Sequence, residues 1–257
     1  MTIADGPGPT PAETARRVKR AVIDIGAAFG HDQSFAETGR RLGLDRWAFY
    51  FGARAGVLGP VDADVVTSAC GFFAPGLVRP AWESALAAVA PGELVREDVA
   101  LCVSWARRHL ARLPGIDRLA DLTGRVVNAA DASGRVLFAA WRARPDPPDD
   151  PVALAALALL ALREHRGGGY LLAVVAEELT PLAAILAGPG VAKATANGWR
   201  SPFPAPGEDD AQRLTAAEQR ADAMAGAAYA CLDARERAEL VDLLQSARRQ
   251  LGMAGPS

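Results

Sequence analysis

The chain has 257 residues, half of them hydrophobic and 23% charged, with a net charge of −2 and an isoelectric point near 6.0. That length can bury one large core or two modest ones. A sequence-independent nucleic-acid binder needs surplus Lys and Arg to displace counterions from phosphates, and this chain has no such surplus. Cys70, Cys102 and Cys231 are odd in number and far apart. They read as reduced cytosolic thiols rather than a disulfide frame or a zinc site. Residues 1–11 are polar and rich in Pro and Gly, without the basic and apolar regions of a secretory signal, so a cytoplasmic protein is expected. The apolar run 151–162 is shorter than the roughly 20 residues that cross a bilayer. It ends in Arg163, Glu164, His165 and Arg166, which makes it a buried core helix with no membrane role.

Alternating β-type patterns are nearly absent, and good helix formers dominate. The expected fold is all-α. Helices are predicted over 14–28, over 32–42 with Gly43 as the stop, and over 46–55, which carries Trp47, Phe49, Tyr50 and Phe51. Gly59-Pro60 is a turn, and Asp62 caps a helix reaching about residue 73. The clearest amphipathic helix is 93–112, where Val95, Val99, Cys102, Ala106 and Leu110 recur at helical spacing before Pro114-Gly115 stops it. Segments 116–130 and 134–143 are predicted helical too. Four prolines within 144–151 forbid a helix there. That segment is the expected linker between an N-terminal lobe, 12–143, and a C-terminal lobe, 152–252, with 1–11 and 253–257 as tails. In the second lobe Gly167-Gly168-Gly169 separates the apolar helix from another over 170–186, and Gly188-Pro189-Gly190 is a turn. Thr215 with Glu218, and Asp233 with Glu236, read as capping boxes of two closing helices.

Several stretches carry a resemblance. They are Tyr50-Phe-Gly-Ala-Arg-Ala-Gly-Val-Leu-Gly-Pro-Val61, Phe72-Phe-Ala-Pro-Gly-Leu-Val78 with Trp82, Gly134-Arg-Val-Leu-Phe-Ala-Ala-Trp141, the segment 163–170, and Gly198-Trp199 followed by Leu214-Thr215. Together they resemble a poorly characterised actinobacterial family with a MarR-like helix-turn-helix tail, often encoded near natural-product gene clusters. The arginine-dominated basic residues, with Lys19 and Lys193 as the lysines, suit a GC-rich genome of that kind. The resemblance implies DNA-binding ancestry. Two departures bear on it. The family pattern reads Arg-Glu-His-Arg-Gly-Asp-Gly-His, whereas this chain has Gly168 and Tyr170 where the aspartate and second histidine would stand. A winged helix also needs a recognition helix of roughly ten residues and a β-wing. Here residues 200–213 hold Pro202, Pro204, Pro206, Gly207, Glu208, Asp209 and Asp210, so a degraded tail without specific DNA binding is expected.

Segment 163–170 joins a histidine, a carboxylate, two arginines and a tyrosine at the end of an apolar helix. Charged groups placed there need partners or a purpose. Glu164, His165 and Tyr170 are the candidate catalytic groups: a base or proton acceptor in the first two, a proton or hydrogen-bond donor in the third. The plain alternative is that His165 only caps helix carbonyls. Neighbours on a helix face different ways, so Glu164 and His165 serve different partners, and Arg54 is one choice for Glu164. Arg54, Arg163 and Arg166 are candidate anion-binding groups, with a buried salt bridge the alternative for Arg54. Trp47, Tyr50 and Phe51 are candidate walls of an apolar pocket between the lobes. Gly167-Gly168-Gly169 is either a plain helix stop or an anion cradle. His109 and His31 read as structural or solvated. No residue set has metal-ligand spacing, and no cofactor is expected.

The expected function is the binding of an apolar metabolite, by a cofactor-independent cyclase or isomerase-like enzyme of natural-product metabolism. A ligand-responsive MarR-like regulator and a metabolite-sequestering resistance protein are the alternatives. A homodimer is the expected assembly.

Overall fold

The computed structural model describes residues 8–144 and 149–253, and among them every regular element is helical. Thirteen α-helices follow in order: α1 (Pro11–Ala27), α2 (Gln33–Arg41), α3 (Arg46–Ala55), α4 (Ala63–Ala69), α5 (Pro75–Ala88), α6 (Pro91–His109), α7 (Ile116–Ala129), α8 (Val136–Arg142), α9 (Pro151–Ala176), α10 (Pro181–Ala187), α11 (Val191–Ala196), α12 (Asp210–Tyr229) and α13 (Ala234–Gln250).

Local chemistry sets most of the helix starts. Asp32, Asp45, Asp62 and Asp150 each accept a hydrogen bond from a backbone N–H of the following turn. Thr10 with Glu13, and Asp233 with Glu236, form complete capping boxes. Thr215 does not cap: α12 begins at Asp210, and the Thr215 hydroxyl donates to the Ala211 carbonyl inside the helix. The expected helix from Asp62 to about residue 73 ends at Ala69, and Phe73 belongs to the turn before α5. Helix α5 is not among the expected helices, and it contains two prolines, Pro75 and Pro80. Pro75 opens the helix, where no N–H is needed. Pro80 lies inside it, and the Gly76 carbonyl four residues back is in an exposed residue that water can satisfy.

Helix α9 is the axis of the molecule. It is apolar on nearly every side and packs against α1, α6, α7, α8 and α12. One core cluster holds Val22, Leu122, Leu159 and Leu240, so helices before and after the proline-rich segment share a core. Part of that segment, residues 145–148, lies outside the described residues. Two close crossings hold the centre together. A Cβ on Gly26 would come 2.7 Å from the Leu159 carbonyl oxygen, and one on Gly226 would come 2.8 Å from Ala12 Cα.

The expected helix stop at Gly167-Gly168-Gly169 is not there: α9 runs through all three glycines to Ala176. The reason is tertiary. Arg135 lies against this stretch, and a Cβ on Gly168 or Gly169 would meet its side chain at 3.2 or 3.3 Å. The absent side chains admit Arg135, and packing outweighs the roughly 1 kcal/mol that each glycine costs a helix.

Candidate functional site

A cavity of about 910 Å3 opens beside the middle of α9. Leu160, Arg163, Arg166, Gly167 and Tyr170 line it. Their spacing of three and four residues is one face of a continuous helix. Trp47, Tyr50 and Arg54 of α3 form a second wall, and Phe72 and Phe73 of the turn after α4 a third. The rings interlock. Trp47 meets Phe73 edge to face at 5.8 Å, and Phe72 stacks on Tyr170 at 5.2 Å. Ile185, Pro189 and Lys193, from α10, the following turn and α11, close a further side.

At its polar end Glu164 is almost wholly buried. It accepts two hydrogen bonds from Arg54, Nε at 2.9 Å and Nη2 at 2.8 Å, and a third from Arg163 Nη1 at 2.8 Å. Both guanidiniums also donate to the Tyr50 hydroxyl oxygen at 3.3 Å. Two-pronged contact with a planar carboxylate is the strong form of this pair. Burial works against the Glu164 charge, but Arg54 and Arg163 outweigh it and hold the carboxyl below the usual range. Burial likewise opposes the Arg54 charge, and Glu164 lifts its pKa well above the ordinary value. Two cations share one anion, which leaves one positive charge in excess.

Asp98 of α6, absent from the sequence-derived candidates, lies in the same cavity wall and is 4% exposed. Among the described residues no hydrogen bond or ion pair reaches its carboxyl. Burial pushes its pKa up to about 7, against the pull of Arg163. Its signal was its place in the helix. Position 98 lies four residues after buried Leu94 and four before buried Cys102, a stripe where an aspartate is out of character.

The structure divides the other candidates. Trp47, Tyr50, Arg54, Arg163, Arg166 and Tyr170 line the cavity. Phe51 is fully buried behind it, against Val66 and Trp82. Glu164 touches the cavity only through its two arginines. His165 points elsewhere, packing edge to face on Phe138 at 4.8 Å. Burial holds it neutral, with its pKa lowered to about 4 and neighbouring Arg135 adding to the effect. His165, expected as a catalytic group, is thus not among the residues that line the cavity. Arg166 pairs with Asp222, and its Nη1 is buried without a hydrogen-bond partner. The Tyr170 phenol is raised by burial and by Glu218. Among the described residues no His, Cys, Asp and Glu side chains are grouped to hold a metal ion. No single helix there is long and apolar enough to cross a membrane.

Helices α10 and α11 are joined by the short turn Gly188-Pro189-Gly190. The end of α11 is tied to the cavity wall. Asn197 Nδ2 and Trp199 Nε1 both donate to the Phe72 carbonyl, at 3.0 and 3.1 Å, and Ala74 N–H donates to the Asn197 carbonyl at 2.9 Å. No curated protein and no solved structure matches the chain. A family model described as a helix-turn-helix family matches residues 15–202, from α1 through α11, and the chain belongs to that family.

Proposed function

We propose that the protein is a ligand-responsive regulator of the helix-turn-helix family, in which a small apolar molecule fills the cavity beside α9. The observation that carries this reading is the shared wall. The α10–α11 pair lines the cavity, and Phe72, which also lines it, holds the residues that follow α11. A ligand against Phe72 and Ile185 would press on both anchors of the pair. That is the differential contact a population shift requires. The sequence motifs further suggest a MarR-like, cytoplasmic protein of actinobacterial secondary metabolism.

The surface of α11 sets the expected character of any DNA complex. Its exposed residues include Val191, Ala192, Lys193 and Thr195, so it offers one cation. Few phosphate contacts give a shallow salt dependence. The test is an electrophoretic titration of the protein against its own upstream region, with native mass spectrometry to identify a co-purifying small molecule. The expected outcome is a sequence-selective complex with shallow salt dependence whose affinity changes when the molecule is removed. Absence of any selective complex would overturn this reading.

A second reading, a cofactor-independent enzyme, is favoured by one observation. Asp98 is a carboxyl in the cavity wall without a hydrogen-bond partner among the described residues, and burial pushes it toward its protonated form, as a general acid requires.

A further inference from the structure

We propose that Arg163 and Asp98 form the polar anchor of the cavity, and that its ligand is an acidic amphiphile: a flat apolar body carrying a carboxylate, bound with Asp98 in its protonated form. The proposal rests on the cavity being a ligand site and goes further by naming the ligand's chemistry.

Three observations lead there. First, among the described residues Glu164 is the one carboxylate ion-paired to Arg54 and Arg163, so with Asp98 protonated the pair carries more positive charge than its carboxylate cancels. An unmatched charge in an apolar site favours an incoming anion. Second, the Asp98 carboxyl lines the same cavity without a hydrogen bond to Arg163 or to any other described residue. A group between the two could accept from the guanidinium on one side and from a carboxylic acid O–H on the other. Third, two of the other walls are aromatic, with Ile185, Pro189 and Lys193 closing a further side. Trp47, Phe72, Phe73 and Tyr170 form a ringed slot suited to a planar body.

The groups acting on Asp98 fix its protonation. Glu164 on α9 repels its negative charge, Arg163 on α9 and Arg54 on α3 attract it, and Cys102 one turn along α6 is held as the neutral thiol. Burial outweighs the arginines and raises its pKa to about 7. An arriving carboxylate would occupy the arginines' field and repel an ionised Asp98, so binding should be accompanied by uptake of a proton.

The test uses 2-naphthoic acid and its methyl ester as probes, read by fluorescence of Trp47 and Trp141, which line the cavity. The acid is ionised at every pH used, so any pH dependence belongs to the protein. The expected result is that the acid binds at least about ten-fold tighter than the ester near pH 6, and that this advantage shrinks by about ten-fold for each pH unit above 7. Ester affinity should stay flat. Asp98→Asn should keep the preference for the acid and lose its pH dependence. The comparison of the two probes on the unaltered chain needs no variant to fold. Equal affinities would overturn the proposal while leaving the cavity as a ligand site. A pH-independent preference for the acid would overturn the role of Asp98. If neither probe bound, the cavity reading would itself fall.

Discussion

Phe72 lies flat on Tyr170, with ring centroids 5.2 Å apart and planes 18° from parallel, while its carbonyl accepts from Asn197 and Trp199 beyond α11. One residue thus lines the cavity and, through its backbone carbonyl, holds the residues that follow α11. Tyr170 in turn stands on the cavity face of α9, one turn past Arg166 and two past Arg163. A ligand pressing on this stacked pair, as proposed, would have a short covalent and hydrogen-bonded route to the end of α11.

Removing the shared carboxylate should be costly. Glu164→Gln leaves Arg54 and Arg163 desolvated without their anion, and breaking a buried pair from one side costs about 3–5 kcal/mol. Arg54→Lys keeps the charge and loses the two-pronged geometry, so a smaller loss is expected. Urea unfolding midpoints of both variants check the order. A Glu164→Gln variant as stable as the parent would show that the pair contributes no net stability.

The pH dependence of stability should be a balance of two opposed groups. His165 has its folded pKa lowered to about 4 from 6.5, so its contribution is present above 6.5 and is lost as pH falls through that window. Asp98 has its folded pKa raised to about 7 from 3.8, so its contribution is present below 3.8 and is lost as pH rises toward 7. Between about pH 5.5 and 6.5, above the range in which lowered carboxyls such as Glu164 and Glu236 lose their contribution, the two slopes oppose each other, and the parent's stability should change little. Asp98→Asn should expose the His165 slope, with stability rising with pH. His165→Phe should expose the Asp98 slope, with stability falling. Chemical denaturation at a series of pH values reads both signs. A variant pair with the same slope would refute the balance.

The helical class was legible because Ala, Leu and Arg carry helical periodicity and the aspartate caps are explicit at Asp62 and Asp233. Partners separated by a hundred residues were harder to read. Arg54 as a choice for Glu164 followed from their both being charged groups next to apolar runs, and the two form the central ion pair. Local glycine preferences misled at 167–169, because the close approach of Arg135 is a tertiary fact with no trace in sequence spacing. Had α9 been read as continuous, residues 160, 163, 167 and 170 would have fallen on one face, and 165 on another. The meaning of Asp98 lies in its place on a buried stripe rather than in a motif of charged residues.

Gly167 offers the cleanest separation of stability from function. Unlike Gly168 and Gly169, nothing lies within 4 Å of a Cβ placed there, and the residue faces the cavity. A side chain at this position would project into the space a ligand would fill. Gly167→Leu should therefore stabilise α9 by about 0.5–1 kcal/mol, since leucine is the better helix former in a helix interior. For a chain of this size that is a rise of about 1–4 °C in Tm. The same side chain should block the cavity and weaken naphthoate binding by at least about ten-fold, a cost of about 1.4 kcal/mol. Thermal denaturation and tryptophan fluorescence on one preparation measure both. A variant with a higher Tm and unchanged probe affinity would show that the probe binds elsewhere. A lower Tm would show that this face of α9 is packed too closely to admit a leucine.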